Sequence, residues 1–305
     1  MAVSPFTLRI AMLNADTPVP SVLDQRGYSY GHIFHQLLIQ SAARVAPGLV
    51  VEAEYFDVHH GAYPESLTYF DAIIVSGSGA SSYEDKDWIK QLDDYIAKVY
   101  VEQPHVKLFG SCFGHQIICQ SLLREHGIYV EKDPQGMEMG VHAIQLEKDF
   151  LKALGGHRPM CPQWVEPLEL TAEDTPSSAQ ITNNSTLRLQ FIHGDHVKIP
   201  EGHSLPPSWL SMGRTKHCAL QGTYQPTRVL TYQGHFEFDK FINTETCKAF
   251  GKTCGWEPRF IAASIEAMNG EDDSKPAADM VMRFFLEGRD AVPGIGGLMS
   301  PPLED

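Results

Sequence analysis

The sequence predicts an α/β fold in which a mostly parallel central sheet is flanked by helices and carries an antiparallel edge. Two observations predict this architecture. Up to about residue 130, apolar strand-like runs alternate with amphipathic helical stretches, and such alternation requires right-handed crossovers between parallel strands. Beyond that point the apolar runs become shorter and extended, as in antiparallel strands. Functional loops are therefore expected at the carboxyl ends of the parallel strands.

The first half of the chain supplies the elements of the parallel sheet. Each predicted strand is an apolar run that ends in a polar or glycine-rich loop, and each predicted helix repeats apolar residues at helical spacing. The first strand, "LRIAMLN", ends in the loop "ADTPVPS". In chain order the predicted elements are strand 8–14, helix 29–45, strand 49–58, a strand within 71–82, helix 87–103, strand 105–112 and helix 115–127.

The second half predicts the antiparallel edge and the end of the domain. Its extended pieces are "GVHAIQLEKD", "LRLQFIHGDHVKIP" and "TRVLTYQGHFEF". Two amphipathic helices, in 260–268 and 276–288, close the fold. We therefore expect a single domain over residues 1–288, with closing helices from about residue 246, and a flexible tail rich in Gly and Pro over 289–305.

Composition excludes several classes of protein. The chain has 305 residues, enough to bury a core without disulfides, and its six cysteines form no CxxC pair. Its first residues lack the pattern of a signal peptide, and no run of 18 apolar residues occurs, so a soluble cytoplasmic protein is expected. A net charge of −14 argues against nucleic acid and anionic membranes as partners.

A candidate nucleophile lies in the turn "GSCFG", residues 110–114. A strand that enters a helix through two glycines and a central Cys112 has the layout of a nucleophile elbow. Thiolate is favoured at a helix N-terminus, and the amide of Phe113 would point toward an oxyanion formed on the substrate. The alternative is that Cys112 is a small core residue, which is the usual role of a lone cysteine after a strand.

The sequence offers a base for this nucleophile in "TYQGHFEFD". His235 and Glu237 stand two apart at the end of a predicted strand, so both would face one side and the carboxylate could orient the imidazole. His235 lies 123 positions after Cys112, so the fold has to bring the two together. A surface His and Glu on an edge strand fits this short motif about equally well.

A second oxyanion donor is expected from the loop "VSGSGAS", residues 75–81. Gly77, Ser78 and Gly79 have little side chain to keep a backbone amide from the substrate. The same loop could be a phosphate cradle, but it lacks both the Lys-Ser/Thr ending and the GxGxxG spacing of nucleotide sites.

Together these motifs resemble the class I glutamine amidotransferase superfamily. Its Gly-x-Cys-x-Gly-x-Gln signature is matched by Gly110, Cys112, Gly114 and Gln116. Its His-Pro-Glu signature is matched by His235 and Glu237, its oxyanion loop by "SGSG", and its His-x-Asp segment by "HGDHV". "GMEMGV" and "YQPTRVLTYQGHFEF" resemble stand-alone members, which include plant γ-glutamyl peptidases. The resemblance covers nearly the whole chain apart from its tail.

The resemblance implies a flavodoxin-like fold of the class I glutaminase type and a Cys-His-Glu triad without a cofactor or metal. Cys112 would attack a γ-glutamyl carbonyl, His235 would transfer the proton, and Glu237 would orient His235. The oxyanion loop at Gly77 and Ser78, with the amide of Phe113, would stabilise the oxyanion. The residues implied in binding the glutamyl group are Gln116, His193, Gly194 and Asp195.

Three residues depart from the family pattern. Phe236 replaces the proline between His and Glu, Ser78 stands where many members have glycine, and Ser111 precedes the cysteine where an apolar residue is commoner. None removes a catalytic group, and together they indicate an altered pocket.

The resemblance predicts a cysteine-dependent hydrolase of a γ-glutamyl amide, either glutamine or a γ-glutamyl conjugate, in secondary-metabolite or glutathione-conjugate metabolism. The roughly 60 residues after Glu237 are too few for a synthase domain, so an ammonia acceptor would have to be a separate protein. Two alternatives remain: a catalytically silent amidotransferase-fold subunit that binds or regulates, and a reactive-thiol protein. The second would not explain the His-x-Glu motif.

Other clusters are given structural roles. His59-His60 on a strand would point to opposite faces, which is poor geometry for one ion. His193, Asp195 and His196 could be metal ligands by type, but a glutamyl-binding loop explains them better, and no metal is expected. Cys119 is expected to be a buried residue of the helix that follows the turn. Cys247 and Cys254 are expected to be thiols in a helix or a loop.

Overall fold

The structure, a computed structural model, describes residues 6–27, 29–156 and 186–289. Within these ranges the chain forms twelve strands and eight α-helices. The strands are β1 (Thr7–Asn14), β2 (Val50–Asp57), β3 (Ala72–Val75), β4 (Lys107–Ser111), β5 (Tyr129–Lys132), β6 (Glu138–Leu146), β7 (Thr186–His193), β8 (Asp195–Lys198), β9 (Leu210–Ser211), β10 (Gly213–Arg214), β11 (Thr223–Gln225) and β12 (Val229–Tyr232). The helices are α1 (Pro20–Arg26), α2 (Tyr30–Val45), α3 (Asp87–Glu102), α4 (Phe113–Leu123), α5 (Lys148–Gly156), α6 (Lys240–Cys254), α7 (Pro258–Ala267) and α8 (Ser274–Leu286).

The central sheet has seven strands in the order β2-β1-β3-β4-β12-β11-β9. Its first five strands run parallel, and β11 and β9 continue it as an antiparallel edge. The predicted fold class is therefore confirmed. Because β3, β4 and β12 are parallel neighbours, the loops that follow them open at the same edge of the sheet.

Alternation along the strands places apolar side chains in both faces of the sheet. Along β1, Leu8, Ile10 and Met12 pack into the layer formed with α2 and α8, whereas Ala11 and Leu13 face the layer of α3 and α4. Burial on both faces explains why β1 reads as a continuous apolar run in the sequence. A third cluster joins α1, α6 and α7 beside the carboxyl edge of the sheet.

The later strands are arranged differently from the prediction. β12 does not belong to the antiparallel edge: it is the fifth parallel strand and pairs directly with β4. β6 and β7 pair with β10 in a separate three-stranded sheet, and β5 pairs with β8 in a two-stranded one. Strand periodicity is a local signal, and it does not predict which other strand a given strand will pair with.

The sequence analysis did not predict three of the observed helices. α1 lies in the stretch expected to be a loop and begins at a proline, as helices often do. α5 follows β6. α6 precedes the two predicted closing helices, so three helices, starting at Lys240, close the described fold. Some of its buried positions are polar, notably Asn243 and Thr246, which masks its amphipathic pattern.

The single-domain boundary stays a prediction. The predicted tail lies outside the described ranges except for Arg289. In the part of the chain that the structure describes, no helix combines the length and the apolar character needed to cross a membrane.

Candidate active site

Cys112 occupies the turn between β4 and α4 in a backbone conformation that L-residues rarely adopt. Its φ is 52° and its ψ is −108°, which makes it one of two described non-glycine residues with positive φ. Hydrogen bonds on both sides hold this conformation: the Cys112 amide donates to the Tyr232 carbonyl at 2.8 Å, and the Cys112 carbonyl accepts from the Gln116 amide at 3.0 Å. A strained residue held this firmly is typical of a functional turn.

The two flanking glycines are required by close backbone contacts. A Cβ atom at Gly110 would lie 2.4 Å from the carbonyl oxygen of Gly114, and one at Gly114 would lie 2.1 Å from the carbonyl oxygen of Val75. Real Cβ contacts are not this short, so any side chain at either position would push the helix away from the sheet. The glycines therefore set the geometry that presents Cys112.

His235 and Glu237 form a buried pair next to Cys112. Nδ1 of His235 lies 2.7 Å from Oε1 of Glu237, and the two side chains are 3% and 1% exposed. This contact occupies Nδ1. Nε2, the other ring nitrogen, is buried and has no hydrogen-bond partner among the described residues. The fold thus brings together the three residues that the sequence predicts to be catalytic.

The position of His235 differs from the sequence prediction in one respect. β12 ends at Tyr232, and His235 sits beyond it in a bent segment that makes a single bridge to Gln190. Strand alternation is therefore not the reason that His235 and Glu237 meet. The bend that follows β12 turns both side chains toward the same buried space.

The electrostatic environment favours the imidazolium form of His235. Burial by itself lowers its pKa, but the charges of Glu237 and Cys112 outweigh burial and raise the pKa of His235 to about 10. A protonated imidazole beside the sulfur can supply its proton to a leaving amine.

Two further residues support the pair and were not predicted to do so. Ser111 donates hydrogen bonds to Glu237, at 3.0 Å to Oε1 and 3.2 Å to Oε2. Phe238 stacks on the imidazole of His235 with ring centroids 3.9 Å apart and an interplanar angle of 16°. The unusual serine before the cysteine was visible in the sequence as a departure, but its partner was not.

The loop after β3 provides the second side of the site. A Cβ atom at Gly77 would lie 3.1 Å from Cε1 of His235 and 3.7 Å from Cβ of Cys112, so the backbone passes directly beside the catalytic pair. Among the described residues, the amides of Ser78 and Phe113 have no hydrogen-bond acceptor. They are thus free to donate to an oxyanion, as the sequence predicts.

Asp16, in the loop after β1, holds the loop after β3 and was not singled out by the sequence. Its Oδ2 accepts from the Gly79 amide at 2.9 Å and from the Ser78 hydroxyl at 3.4 Å, and its Oδ1 accepts from the Thr17 amide at 2.7 Å.

A cleft of about 480 Å³, counted with its open mouth, reaches Cys112 from the surface. It is walled by the loops after β1 and β3 and by residues of α2, β7 and α6. Its lining consists of Asp16, Thr17, Val19, Tyr30, Gly77, Ser78, Gly79, Cys112, Ile192, His235, Phe238, Thr246 and Phe250. Cys112, His235 and Ser78, whose amide has no acceptor among the described residues, therefore line one cleft, and a thiol beside an imidazole and an amide donor is an arrangement suited to acyl transfer.

The four residues expected to bind the glutamyl group do not line this cleft. Nε2 of Gln116 donates to the Asp195 carbonyl at 3.0 Å and to Oε1 of Gln233 at 3.2 Å. Buried His193 contacts Oε2 of Glu138 at 2.9 Å. A Cβ atom at Gly194 would lie 2.5 Å from Sδ of Met137.

Asp195, the fourth of these residues, connects to the chain beyond the oxyanion loop. Its carboxylate accepts from the Ser81 hydroxyl at 2.5 Å and from the Tyr83 hydroxyl at 3.1 Å. In this structure the four residues therefore make contacts within the protein, and their part in binding the glutamyl group stays a prediction.

The remaining histidines and cysteines take other positions. His59 and His60 lie in a one-turn 3-10 helix, Val58–His60, and not on a strand, so the geometric reason given against their binding one ion was wrong. Nε2 of His196 contacts Glu131 at 3.3 Å. Cys119 is fully buried in α4, where burial raises the pKa of its thiol to about 12. Cys247 and Cys254 lie in α6, while Cys161 is outside the described residues.

The amino-acid sequence was compared with protein families and with individual proteins. No protein-family profile matches the sequence. It is 26% identical to a glutamine amidotransferase-like protein of Schizosaccharomyces pombe, over 91% of this chain and 98% of that protein. It is 33% identical to gamma-glutamyl peptidase 5 of Arabidopsis thaliana, over 77% of this chain and 82% of that protein.

A solved structure supports the fold. The glutamine amidotransferase of Methylobacillus flagellatus superposes with a TM-score of 0.56 at 13% identity, covering 96% of this chain and all of that one. At this identity the likeness concerns the fold alone.

Proposed function

Because the chain belongs to the class I glutamine amidotransferase superfamily, we propose that it hydrolyses a γ-glutamyl amide bond with Cys112 as nucleophile. Two kinds of observation support the proposal. The relatives named gamma-glutamyl peptidase favour γ-glutamyl hydrolysis in general. The observation that carries the specific mechanism is the strained Cys112 turn beside the His235–Glu237 pair, with its 2.7 Å contact.

The first half of the reaction forms a thioester. The Cys112 sulfur attacks the γ-carbonyl carbon while its proton resides on Nε2 of His235, and the carbonyl electron pair moves onto oxygen. The amides of Phe113 and Ser78 donate to this oxyanion. When the tetrahedral intermediate collapses, the C–N bond breaks and the leaving amine takes the proton from His235.

The second half restores the enzyme. Water attacks the γ-glutamyl thioester as His235 accepts its proton, and the C–S bond then breaks to release glutamate and return the thiol. The net reaction consumes one water and yields glutamate and an amine. Glu237 stabilises the imidazolium in both halves, and the chemistry uses no metal or cofactor.

This reaction needs no ammonia-accepting partner. A stand-alone hydrolase of glutamine or of a γ-glutamyl conjugate, in secondary-metabolite or glutathione-conjugate metabolism, accounts for the site. A cytoplasmic location would place the free thiols in a reducing compartment.

The test measures glutamate release from glutamine, glutathione and a γ-glutamyl anilide by the purified protein. We expect release from at least one substrate, and its loss in Cys112→Ala and His235→Asn. Cys254→Ala is the matched control, since this exposed thiol lies on α6 and does not line the cleft.

Absence of release from all three substrates would contradict the proposal as stated. It would favour the alternative, an amidotransferase fold retained as a silent binding or regulatory subunit.

A further inference from the structure

The cleft carries a negative charge that hydrolysis does not use. Asp16 is the only carboxylate among its described lining residues, and none of those residues is a lysine or an arginine. The described residues provide no ion pair for Asp16. Arg26, on nearby α1, pairs with Asp239 instead.

The Asp16 carboxylate is held in place without being saturated. It accepts three hydrogen bonds, from the amides of Thr17 and Gly79 and from the Ser78 hydroxyl. A carboxylate has about four acceptor positions, so capacity remains for one more donor. The three contacts also fix the orientation of the carboxylate. Binding of a ligand would therefore cost little conformational entropy at the Asp16 side chain.

The surroundings make this charge costly when it has no partner. Apolar side chains of Val19, Ile192, Phe238 and Phe250 line the same cleft. Tyr30 is nearly buried beside them, and burial, together with the charges of Asp16 and Glu237, raises the pKa of its hydroxyl. An unpaired carboxylate next to apolar walls is stabilised when a ligand supplies a cation.

We propose that Asp16 is the specificity-determining residue of the cleft and binds an ammonium group of the substrate. The inference rests on the proposed function. The ammonium could come from two parts of a γ-glutamyl substrate: the α-ammonium of the glutamyl group itself, or a cationic group on the leaving amine. Both present the same chemistry, a protonated amine that can donate to a carboxylate.

The competing explanation is that Asp16 only positions the oxyanion loop. In that case its removal would weaken the binding of every ligand alike, whatever the ligand's charge. A comparison of similar ligands with and without an ammonium group separates the two roles.

The experiment measures binding by calorimetry to Cys112→Ala protein, so that turnover plays no part. Three amides are compared: glutaryl butylamide without an ammonium, γ-glutamyl butylamide with the α-ammonium, and glutaryl aminobutylamide with an ammonium on the amine side. Each is measured with Asp16 intact and with Asp16→Asn added. Asp24→Asn, at an exposed position of α1, is the control for net charge.

We expect one ammonium-bearing amide to bind more tightly than glutaryl butylamide, which has no ammonium, and Asp16→Asn to reduce this preference by about tenfold or more. Asp24→Asn should leave the preference intact. Loss of preference for γ-glutamyl butylamide identifies the α-ammonium as the ligand, and loss for glutaryl aminobutylamide identifies the leaving amine.

An unchanged preference in Asp16→Asn, or no binding of any of the three amides, overturns the inference. The proposed function is judged separately by glutamate release with Cys112 present. Charge-dependent binding without hydrolysis would therefore leave the subsite standing and reject the hydrolase.

Discussion

The Ser111 hydroxyl donates to both carboxylate oxygens of Glu237, at 3.0 Å and 3.2 Å. The residue before Cys112 therefore supports Glu237, the carboxylate at the other end of the proposed triad. Ser111 is fully buried and Glu237 is 2% exposed, so water does not replace this donor. Both ends of the Cys112–His235–Glu237 arrangement are thus tied to the end of β4.

Ser111→Ala should lower both the catalytic rate and the free energy of unfolding. Loss of a hydrogen bond to a buried carboxylate costs about 1.5–3 kcal/mol, and a less constrained Glu237 orients His235 less well. We expect kcat to fall roughly tenfold with little change in KM, which steady-state kinetics and urea unfolding would measure. Ser111→Thr keeps the hydroxyl and should retain more of both; equal losses in the two variants would contradict the role given to the hydroxyl.

Gly77→Ala should impair catalysis without unfolding the protein. The added methyl would lie 3.1 Å from Cε1 of His235, so the imidazole must shift by a few tenths of an ångström. A misplaced base reduces kcat/KM, and for a shift this small we expect a loss of about tenfold in glutamate release. Gly155→Ala is the control, because no atom lies within 4 Å of a Cβ atom there and its φ is not positive. Wild-type kinetics in Gly77→Ala would show that the loop does not constrain the ring.

Stability should depend on pH through His235. Its pKa is raised to about 10 in the folded protein, above the ordinary value of 6.5, so folding takes up a proton between these values. The stabilisation is therefore complete below about pH 6.5 and is lost as pH rises through 10, with a slope of at most about 1.4 kcal/mol per pH unit. Urea unfolding of wild type and His235→Asn at several pH values would measure it. Parallel curves for the two proteins would contradict the prediction.

Lys107→Met should destabilise the fold while leaving the chemistry in place. The buried ammonium of Lys107 donates to the carbonyls of Phe284, at 2.8 Å, Phe285, at 3.0 Å, and Glu287, at the C-terminal end of α8. Without it these carbonyls lose a charged donor, although the Phe284 carbonyl still accepts from the Glu287 amide at 3.2 Å, and we expect a cost of about 2–4 kcal/mol. Thermal unfolding should show a Tm lower by several degrees, whereas Lys98→Met, at an exposed position of α3, should not change it. A wild-type Tm in Lys107→Met would show that the Lys107 ammonium does not stabilise the C-terminal end of α8.

Sequence patterns located most of the parallel sheet because the relevant signals are local. Apolar runs identified β1 to β4, and helical spacing identified α2, α3 and α4, each within a few residues of its observed bounds. The same approach missed α1, α5 and α6, and it placed β12 at the edge when it pairs with β4 inside the sheet. Pairing depends on contacts between distant segments, which no local pattern encodes.

For the site, the sequence by itself determined which residues could act: a cysteine between two glycines, a histidine and a glutamate two apart, and a small-residue loop. These identities follow from chemistry and short-range backbone requirements. Only the tertiary structure decided how the residues meet. Ser111 reaches Glu237 across 126 positions and Asp16 reaches Ser78 across 62, whereas Gln116 is directed to the Asp195 carbonyl and away from the cleft. The physical reason is that a side chain's partner is set by the packing of the strands and loops around it, and that packing is a property of the whole fold.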